Sequence, residues 1–101
     1  MSLKNDVRTR SDQATIVYAP TDTGELAGQY PEFKVRIFNL AGEPVRVLDK
    51  DDEVNPQHRA AYWDVMNEQG RPATSGMYFY TVELEVNGVT EQNVGRLTVV
   101  R

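Results

Sequence analysis

Strict alternation of apolar and polar side chains is the feature that most constrains what this chain can fold into. Phe33, Val35 and Ile37 alternate with charged neighbours, and residues 78–86 continue the same period for the longest stretch in the sequence. A period of two places successive side chains on opposite faces of a strand, which predicts half-buried strands of an antiparallel sheet. Since no segment of ten or more residues has a helical period, we expect an all-β fold.

Turn-forming residues separate the alternating segments and suggest how the strands connect. Asn87-Gly88 is a strong hairpin signal, because a two-residue turn of this kind needs positive φ at both positions. Gly95, inside the final alternating segment, predicts a bulge or bend. About seven short strands separated by such turns are typical of a β-sandwich rather than of a fold with alternating helices.

Length and composition narrow the domain organisation and the classes of partner. The 101 residues suffice for one domain, which we place at 13–101, after a lead over 1–12 that is either disordered or added for expression. Without cysteine there are no disulfides, thiolate metal sites or cysteine nucleophile. The net charge of -4 and the scattered basic residues disfavour nucleic acid as a partner. No apolar run is long enough to span a membrane, and the N-terminus does not read as a signal peptide.

The segment from residue 62 to residue 86 contains the candidate structural motif. Trp63 is expected in the core and Asp64 is expected to accept hydrogen bonds from the following turn. Gly70 and Gly76 supply turn positions that other residues resist. Tyr78 and Tyr80 share one face with Val82, Leu84 and Val86, which predicts a buried face; with Trp63, Val35 and Ile37, these residues other than Val86 make up the predicted core.

Several motifs in order resemble the Ig-like domain first named from the flagellar hook-capping protein FlgD. That family combines a V-x-I-x-N strand, a G-x-x-V-x-x-L return, a W-D-G turn, an N-x-x-G-x-x-x-x-S-G-x-Y-x-Y entry and a final hairpin. The matching positions are Val35, Ile37, Asn39, Gly42, Val45, Leu48, Trp63, Asp64, Asn67, Gly70, Ser75, Gly76, Tyr78 and Tyr80. The resemblance implies an Ig-like antiparallel β-sandwich. Related modules end many large secreted or surface proteins of Bacteroidetes-type bacteria, some as C-terminal sorting domains.

Two departures from the family pattern give further expectations. Val65 stands where the family has glycine after W-D, and a β-branched residue resists positive φ, so this turn should be built differently. The loop from Thr21 to Glu32 is longer than usual and is a candidate place for individual function.

The remaining polar and aromatic residues have mostly structural interpretations. His58 is expected in a solvated loop, and Glu83 and Glu85 on the polar face of a strand. The run Asp49, Asp51, Asp52 and Glu53 is interpreted as a solvated acidic loop, with a weak Ca²⁺ site as the alternative. Met77 and Phe79 point away from the predicted core face and form a candidate interaction surface.

These expectations favour a non-catalytic accessory module, without cofactor, metal or catalytic residue, in a larger exported or cell-surface bacterial protein. It would act as a spacer, a docking surface or a C-terminal sorting element, and its partners would be the neighbouring domains of that parent. The alternative is a carbohydrate- or protein-binding module that uses the 21–32 loop and the exposed aromatics. A small stand-alone enzyme would need a catalytic constellation around His58, for which the sequence holds no recognisable nucleophile motif.

Overall fold

The structure, a computed structural model, describes residues 3–9, 12–20, 30–86 and 88–100. These residues form strands joined by turns, and no helix among them has the length and apolar character needed to cross a bilayer. In chain order the strands are β1 (Leu3–Thr9), β2 (Ala14–Pro20), β3 (Phe33–Phe38), β4 (Pro44–Leu48), β5 (Val54–Asn55), β6 (Ala60–Trp63), β7 (Gly76–Val86) and β8 (Val89–Val99).

The described residues form two antiparallel four-stranded sheets, which confirms the predicted all-β sandwich. The first sheet has the order β1-β2-β6-β5 and the second has the order β4-β3-β7-β8. If the strands are lettered A, B, C, C′, D, E, F and G in chain order, these orders become ABED and C′CFG. That is the arrangement of an Ig-like sandwich. The eight strands exceed the predicted number of about seven because β1 and the two-residue β5 carry almost no alternation of their own.

The predicted disorder of the lead over 1–12 does not match the residues described there. Leu3–Thr9 pairs with β2 along its whole length, from Leu3 opposite Pro20 to Thr9 opposite Ala14. Val7 packs against the core from the edge of the sheet. The segment is therefore held mainly by backbone pairing, which leaves little trace in the polarity of its sequence.

The core lies between the inner faces of the two sheets and contains every residue predicted for it. Trp63, Val35, Ile37 and Val82 are fully buried, and Tyr78, Tyr80 and Leu84 are nearly so. Trp63 meets Tyr78 edge to face with ring centroids 5.7 Å apart, while Tyr18 and Phe33 make a similar contact at 4.9 Å. Such side chains each stabilise the fold by about 1.5–3 kcal/mol on burial. All seven residues predicted for the core are therefore found in it.

The hairpin of β7 and β8 is the longest element, and Gly95 does not produce the predicted bulge in it. The pairing runs without a register shift from Val86 opposite Val89 to Gly76 opposite Val99. Gly95 lies instead beneath the ring of Tyr80: a Cβ at position 95 would come 2.3 Å from the Tyr80 Cζ atom. Gly88 has a φ of 78°, as the predicted turn requires, whereas Asn87 lies outside the described residues.

Candidate functional site

The Trp63 corner, residues 63–66, turns the chain out of β6 through side-chain hydrogen bonds. The buried indole Nε1 of Trp63 donates to the carbonyl oxygen of Met66 over 2.9 Å. Asp64 accepts the amide of Met66 at its Oδ1 over 3.1 Å, two residues along the chain. The predicted roles of Trp63 in the core and of Asp64 in the turn are thus both seen in the geometry. The ring is held at both its apolar body and its polar edge.

Val65 adopts positive φ despite its branched side chain, so the expectation of a differently built turn was wrong. Its φ is 60°, and only 1% of its surface is exposed. Its carbonyl oxygen accepts the amide of Ala73 over 2.8 Å. Burial of an apolar side chain offsets the cost of a left-handed conformation for a β-branched residue. The corner therefore keeps the backbone that glycine would favour and adds a core side chain.

Arg46 on β4 extends across the open side of the sandwich and joins the second sheet to the Trp63 corner. Its guanidinium bonds to Glu53 over 2.6 Å and to Asp64 over 3.0 Å. It also donates to the Met66 carbonyl oxygen over 3.1 Å. Sequence reasoning missed this residue, although Arg46 shares the strand parity of the buried Leu48 and so could have been expected to point inward.

The burial of Glu53 shows that residues 49–53 are not a uniformly solvated acidic loop, so that interpretation was wrong for Glu53. Asp49, Asp51 and Asp52 are exposed, but Glu53 is only 8% exposed. Its second carboxylate oxygen accepts the amide of Lys50 over 3.2 Å. Burial alone would raise the pKa of Glu53, but the hydrogen bond from Arg46 and those from backbone amides hold this pKa below its usual value. Glu53 is therefore a charged structural partner of Arg46.

The other predicted motif residues hold the loop between β6 and β7 and the start of β7. Gly70, with a φ of 77°, closes a turn in which its amide donates to the carbonyl oxygen of Asn67 over 3.0 Å. Gly76, with a φ of 147°, begins β7 in a conformation that only glycine adopts readily. The Tyr78 hydroxyl donates to the Thr74 carbonyl oxygen over 2.7 Å. These contacts fix the loop between β6 and β7.

Tyr80 is the motif residue whose pKa is strongly raised by the fold. Its hydroxyl is buried and donates to Asn5 Oδ1 over 2.6 Å. Burial, with a smaller contribution from the negative charge of Asp6, raises the pKa of Tyr80 to about 12. The folded state therefore favours the neutral phenol, which acts as a hydrogen-bond donor to β1.

Met77 and Phe79 lie on the outer face of the second sheet, as their strand parity predicts. Met77 is 41% exposed and Phe79 is half-buried. Phe79 stands between Phe38 of β3 and Arg96 of β8 in the strand register, which explains its partial cover. Together with Phe38, these two side chains form the outer patch, a small apolar area that could pack against a partner.

The 21–32 loop, the site of the alternative binding function, is described only in part. Residues 21–29 of the 21–32 loop lie outside the described residues, while Tyr30 directly after them is 51% exposed. The Arg59 guanidinium carbon lies 4.7 Å from the centroid of the Tyr30 ring, a distance typical of a cation–π contact. Tyr30 therefore presents an aromatic surface with a positive charge beside it.

Two further sequence candidates are separate from these surfaces. His58 is exposed in the turn after β5, and its Nδ1 lies 3.3 Å from the side-chain nitrogen of Asn55. Glu83 pairs with Arg36 across the outer face of the second sheet over 2.9 Å. Both positions agree with the polar surface roles expected for them.

Comparisons with known proteins place the fold but not the activity. Neither a protein-family model nor a curated protein matches the chain. The structure is similar to part of a solved structure described as dimeric latent PorU from Porphyromonas gingivalis, with a TM-score of 0.61 and 17% sequence identity. The likeness covers 99% of this chain and 10% of that chain. The resemblance to FlgD-type domains therefore stands at the level of the Ig-like fold.

Proposed function

We propose that this chain is a non-catalytic Ig-like accessory module of a larger exported or cell-surface bacterial protein. In that role it acts as a spacer, as a docking surface for neighbouring domains or as a C-terminal sorting element. The observation that carries the proposal is the likeness over 99% of this chain to a tenth of a much longer chain. A sandwich of this kind is a frequent building block of long surface proteins, although the fold alone does not specify the task.

The charged residues in and around the Trp63 corner also support a structural role. Arg46 pairs with both Glu53 and Asp64, and Asp64 also accepts the amide of Met66 in the turn. These ion pairs therefore hold the loops that follow β4 and β6 in place. Fixed loops of this kind would suit a rigid spacer. The outer patch of Phe38, Met77 and Phe79 supplies an area for contact with an adjacent domain.

The experiment that tests the proposal is a fractionation blot of the source organism with an antibody raised against this domain. We expect a band far larger than 11.4 kDa in the envelope or the medium. A mature secreted form that has lost the domain would favour the sorting role over the spacer role. A free cytoplasmic band near the mass of this chain would contradict the proposal.

The docking role has its own test in a protein that carries the domain together with its neighbour. Phe79→Ser on the outer patch should increase proteolytic cleavage between the two domains, because the apolar contact is lost. Thr90→Ser, at an exposed position of β8 on the same face, is the matched control. Equal cleavage of the two variants would exclude the outer patch as the docking surface.

A second candidate function is a carbohydrate- or protein-binding module, favoured by the exposed Tyr30 and its Arg59 neighbour. Aromatic rings offer flat apolar faces to sugars and to peptide side chains. Binding on a glycan and peptide panel that is lost in Tyr30→Ala but retained in Phe79→Ala would support this site. The reverse pattern would assign binding to the outer patch, and a panel without binders would count against this second function.

A further inference from the structure

Each sheet of the sandwich ends in two edge strands, and these four edges are not equally protected. The first sheet ends in β1 and β5, and the second ends in β4 and β8. An exposed edge presents unpaired backbone groups that can pair with another strand, so proteins usually shorten, charge or cap their edges. β5 is protected by its length of two residues.

Side-chain carboxylates cap the backbone on two of the longer edges. On β4, the amide of Val47 donates to Glu68 Oε1 over 2.7 Å. On β1, the amide of Val7 donates to Asp6 Oδ1 over 2.9 Å. An incoming strand at either place would have to displace a charged acceptor, which makes pairing there unfavourable.

The Glu68 cap also establishes which backbone N–H and C=O groups of β8 face away from β7. Because Glu68 binds the Val47 amide, that amide faces away from β3. In antiparallel sheets, opposite residues alternate between pairs that exchange hydrogen bonds and pairs that do not. Val47 is opposite Arg36, Arg36 is opposite Thr81, and Thr81 is opposite Val94. Arg36 and Thr81 therefore exchange hydrogen bonds, and the amide and carbonyl of Val94 face outward from the sheet.

The period of two extends this orientation along β8. Thr90, Gln92, Arg96 and Thr98 share the parity of Val94, and their side chains are exposed like that of Val94, which is 61% exposed. Within the described part of the chain, no hydrogen bond reaches the outward backbone groups of these residues. The strand is 11 residues long and contains neither proline nor lysine. β8 is thus a long edge without the protective devices of the other three.

We propose that the β8 edge pairs with β8 of a second copy of this chain, antiparallel and about a two-fold axis at Val94. In this register Val94 lies opposite its own equivalent, Gln92 lies opposite Arg96 and Thr90 lies opposite Thr98. Each outward residue offers one donor and one acceptor, so the pairing closes about ten backbone hydrogen bonds. The two second sheets then form one continuous sheet across the dimer.

The chemistry of β8 fits a second copy because the strand is complementary to itself in this register. The two exposed valines meet at the axis and leave water together. Arg96 faces a neutral amide, and Glu91 faces Leu97, so no like charges are directly opposite. A two-fold axis repeats each contact, as closed homodimers require. The net charge of -4 on each copy opposes association, but salt near 0.15 M screens it over about 8 Å.

Sedimentation equilibrium of the chain from micromolar to submillimolar concentration tests the association. We expect a reversible dimer. Val94→Pro removes an outward amide without breaking a bond to β7 and places a ring against the partner strand, so its dissociation constant should rise about 30-fold or more. Val94→Thr keeps the amide and should raise it less than about fivefold. Trp63 emission confirms that each variant is folded, and Val94→Lys replaces Val94→Pro if the latter does not fold.

Cysteine cross-linking tests the register in a chain that has no cysteine of its own. Val94→Cys places two sulfurs at the axis, within the Cα separation of about 4.4–6.8 Å that a disulfide spans. Thr98→Cys, the matched control, places its two sulfurs roughly 27 Å apart along the strands. Rapid oxidation of the first variant alone supports the proposal. A strictly monomeric chain, a Val94→Pro variant that associates like the unmodified chain, or equal cross-linking of both cysteine variants would overturn it.

Discussion

The buried hydroxyl of Tyr80 donates to Asn5 Oδ1 over 2.6 Å and so joins the first strand to the middle of the opposite sheet. Asn5 in turn donates from its Nδ2 to Asn93 Oδ1 over 2.6 Å. Gly95, on the strand beside Tyr80, leaves the space through which the phenol reaches β1. The edge strand β1 is thus fixed by polar contacts to the opposite sheet as well as by its pairing with β2.

Tyr80→Phe should lower the free energy of unfolding by about 1–3 kcal/mol, because it leaves the buried acceptor on Asn5 without its donor. Urea denaturation measures the change, and protection of the β1 amides from hydrogen exchange should fall with it. Tyr30→Phe, at an exposed tyrosine, is the matched control and should change stability by less than about 0.5 kcal/mol. Equal effects of the two substitutions would mean that the Asn5 contact contributes nothing.

The same phenol predicts a loss of stability in alkali. Because the pKa of Tyr80 is raised from 10.0 to about 12 in the folded chain, the folded state holds its proton more tightly than the unfolded state. The stabilisation is complete below pH 10 and is lost as the pH rises towards 12. Burial also raises the pKa of Tyr18, against an opposing effect of Arg59, so Tyr80→Phe should flatten this limb without abolishing it. A pH series of urea midpoints with identical slopes in both proteins would contradict the assignment.

Gly95→Ala should be destabilising although glycine generally weakens a strand. A Cβ at position 95 would come 2.3 Å from Tyr80 and 2.7 Å from Asn5 Oδ1, so the ring and the edge strand must both move. Overpacking of this kind costs about 1–3 kcal/mol. Combining Gly95→Ala with Tyr80→Leu should cost less than the sum of the two separate changes, because the clash is removed. Strict additivity would show that the close approach is not the cause.

Alternation predicted the strands and the core because both depend on a period that the sequence displays directly. The predicted inward-facing residues of β3 and β7 are buried as expected, namely Phe33, Val35, Ile37, Tyr78, Tyr80, Val82 and Leu84. The strand β1 was missed because its stability comes from backbone pairing and from Asn5, neither of which produces an apolar period. Gly95 was misinterpreted because a bulge and a close aromatic contact both call for glycine at the same position.

The charged contacts between Arg46 and the residues around the Trp63 corner were missed for a different reason. Arg46 lies on β4 and Glu53 lies in the turn before β5, so the two side chains meet only when the two sheets are stacked. Each residue by itself is most often found at the surface, so composition favoured a solvated interpretation. Val65 was misjudged because local conformational preference was weighed without the burial that offsets it.

Val65→Gly tests that balance between backbone strain and burial. At an ordinary buried strand position such as Val82, glycine should be worse than alanine by about 1 kcal/mol. At Val65, where φ is 60°, glycine relieves strain of about 1 kcal/mol or more that alanine retains. Val65→Gly and Val65→Ala should therefore lower the free energy of unfolding by similar amounts, measured by urea denaturation. A penalty for glycine over alanine as large as that at Val82 would show that the left-handed conformation carries no cost.

Glu53→Gln should destabilise the fold by about 1–3 kcal/mol, because the poorly exposed guanidinium of Arg46 loses its shortest charged contact and keeps only the exposed Asp64 close by. The pKa of Glu53 is lowered from 4.5 on folding, so its contribution is complete above that pH and is lost as the pH falls through the folded value. The substitution should therefore flatten the acid limb of the stability profile. Glu85→Gln, at an exposed position of β7, should leave that limb steep; equal flattening by both would assign the acid sensitivity to overall charge.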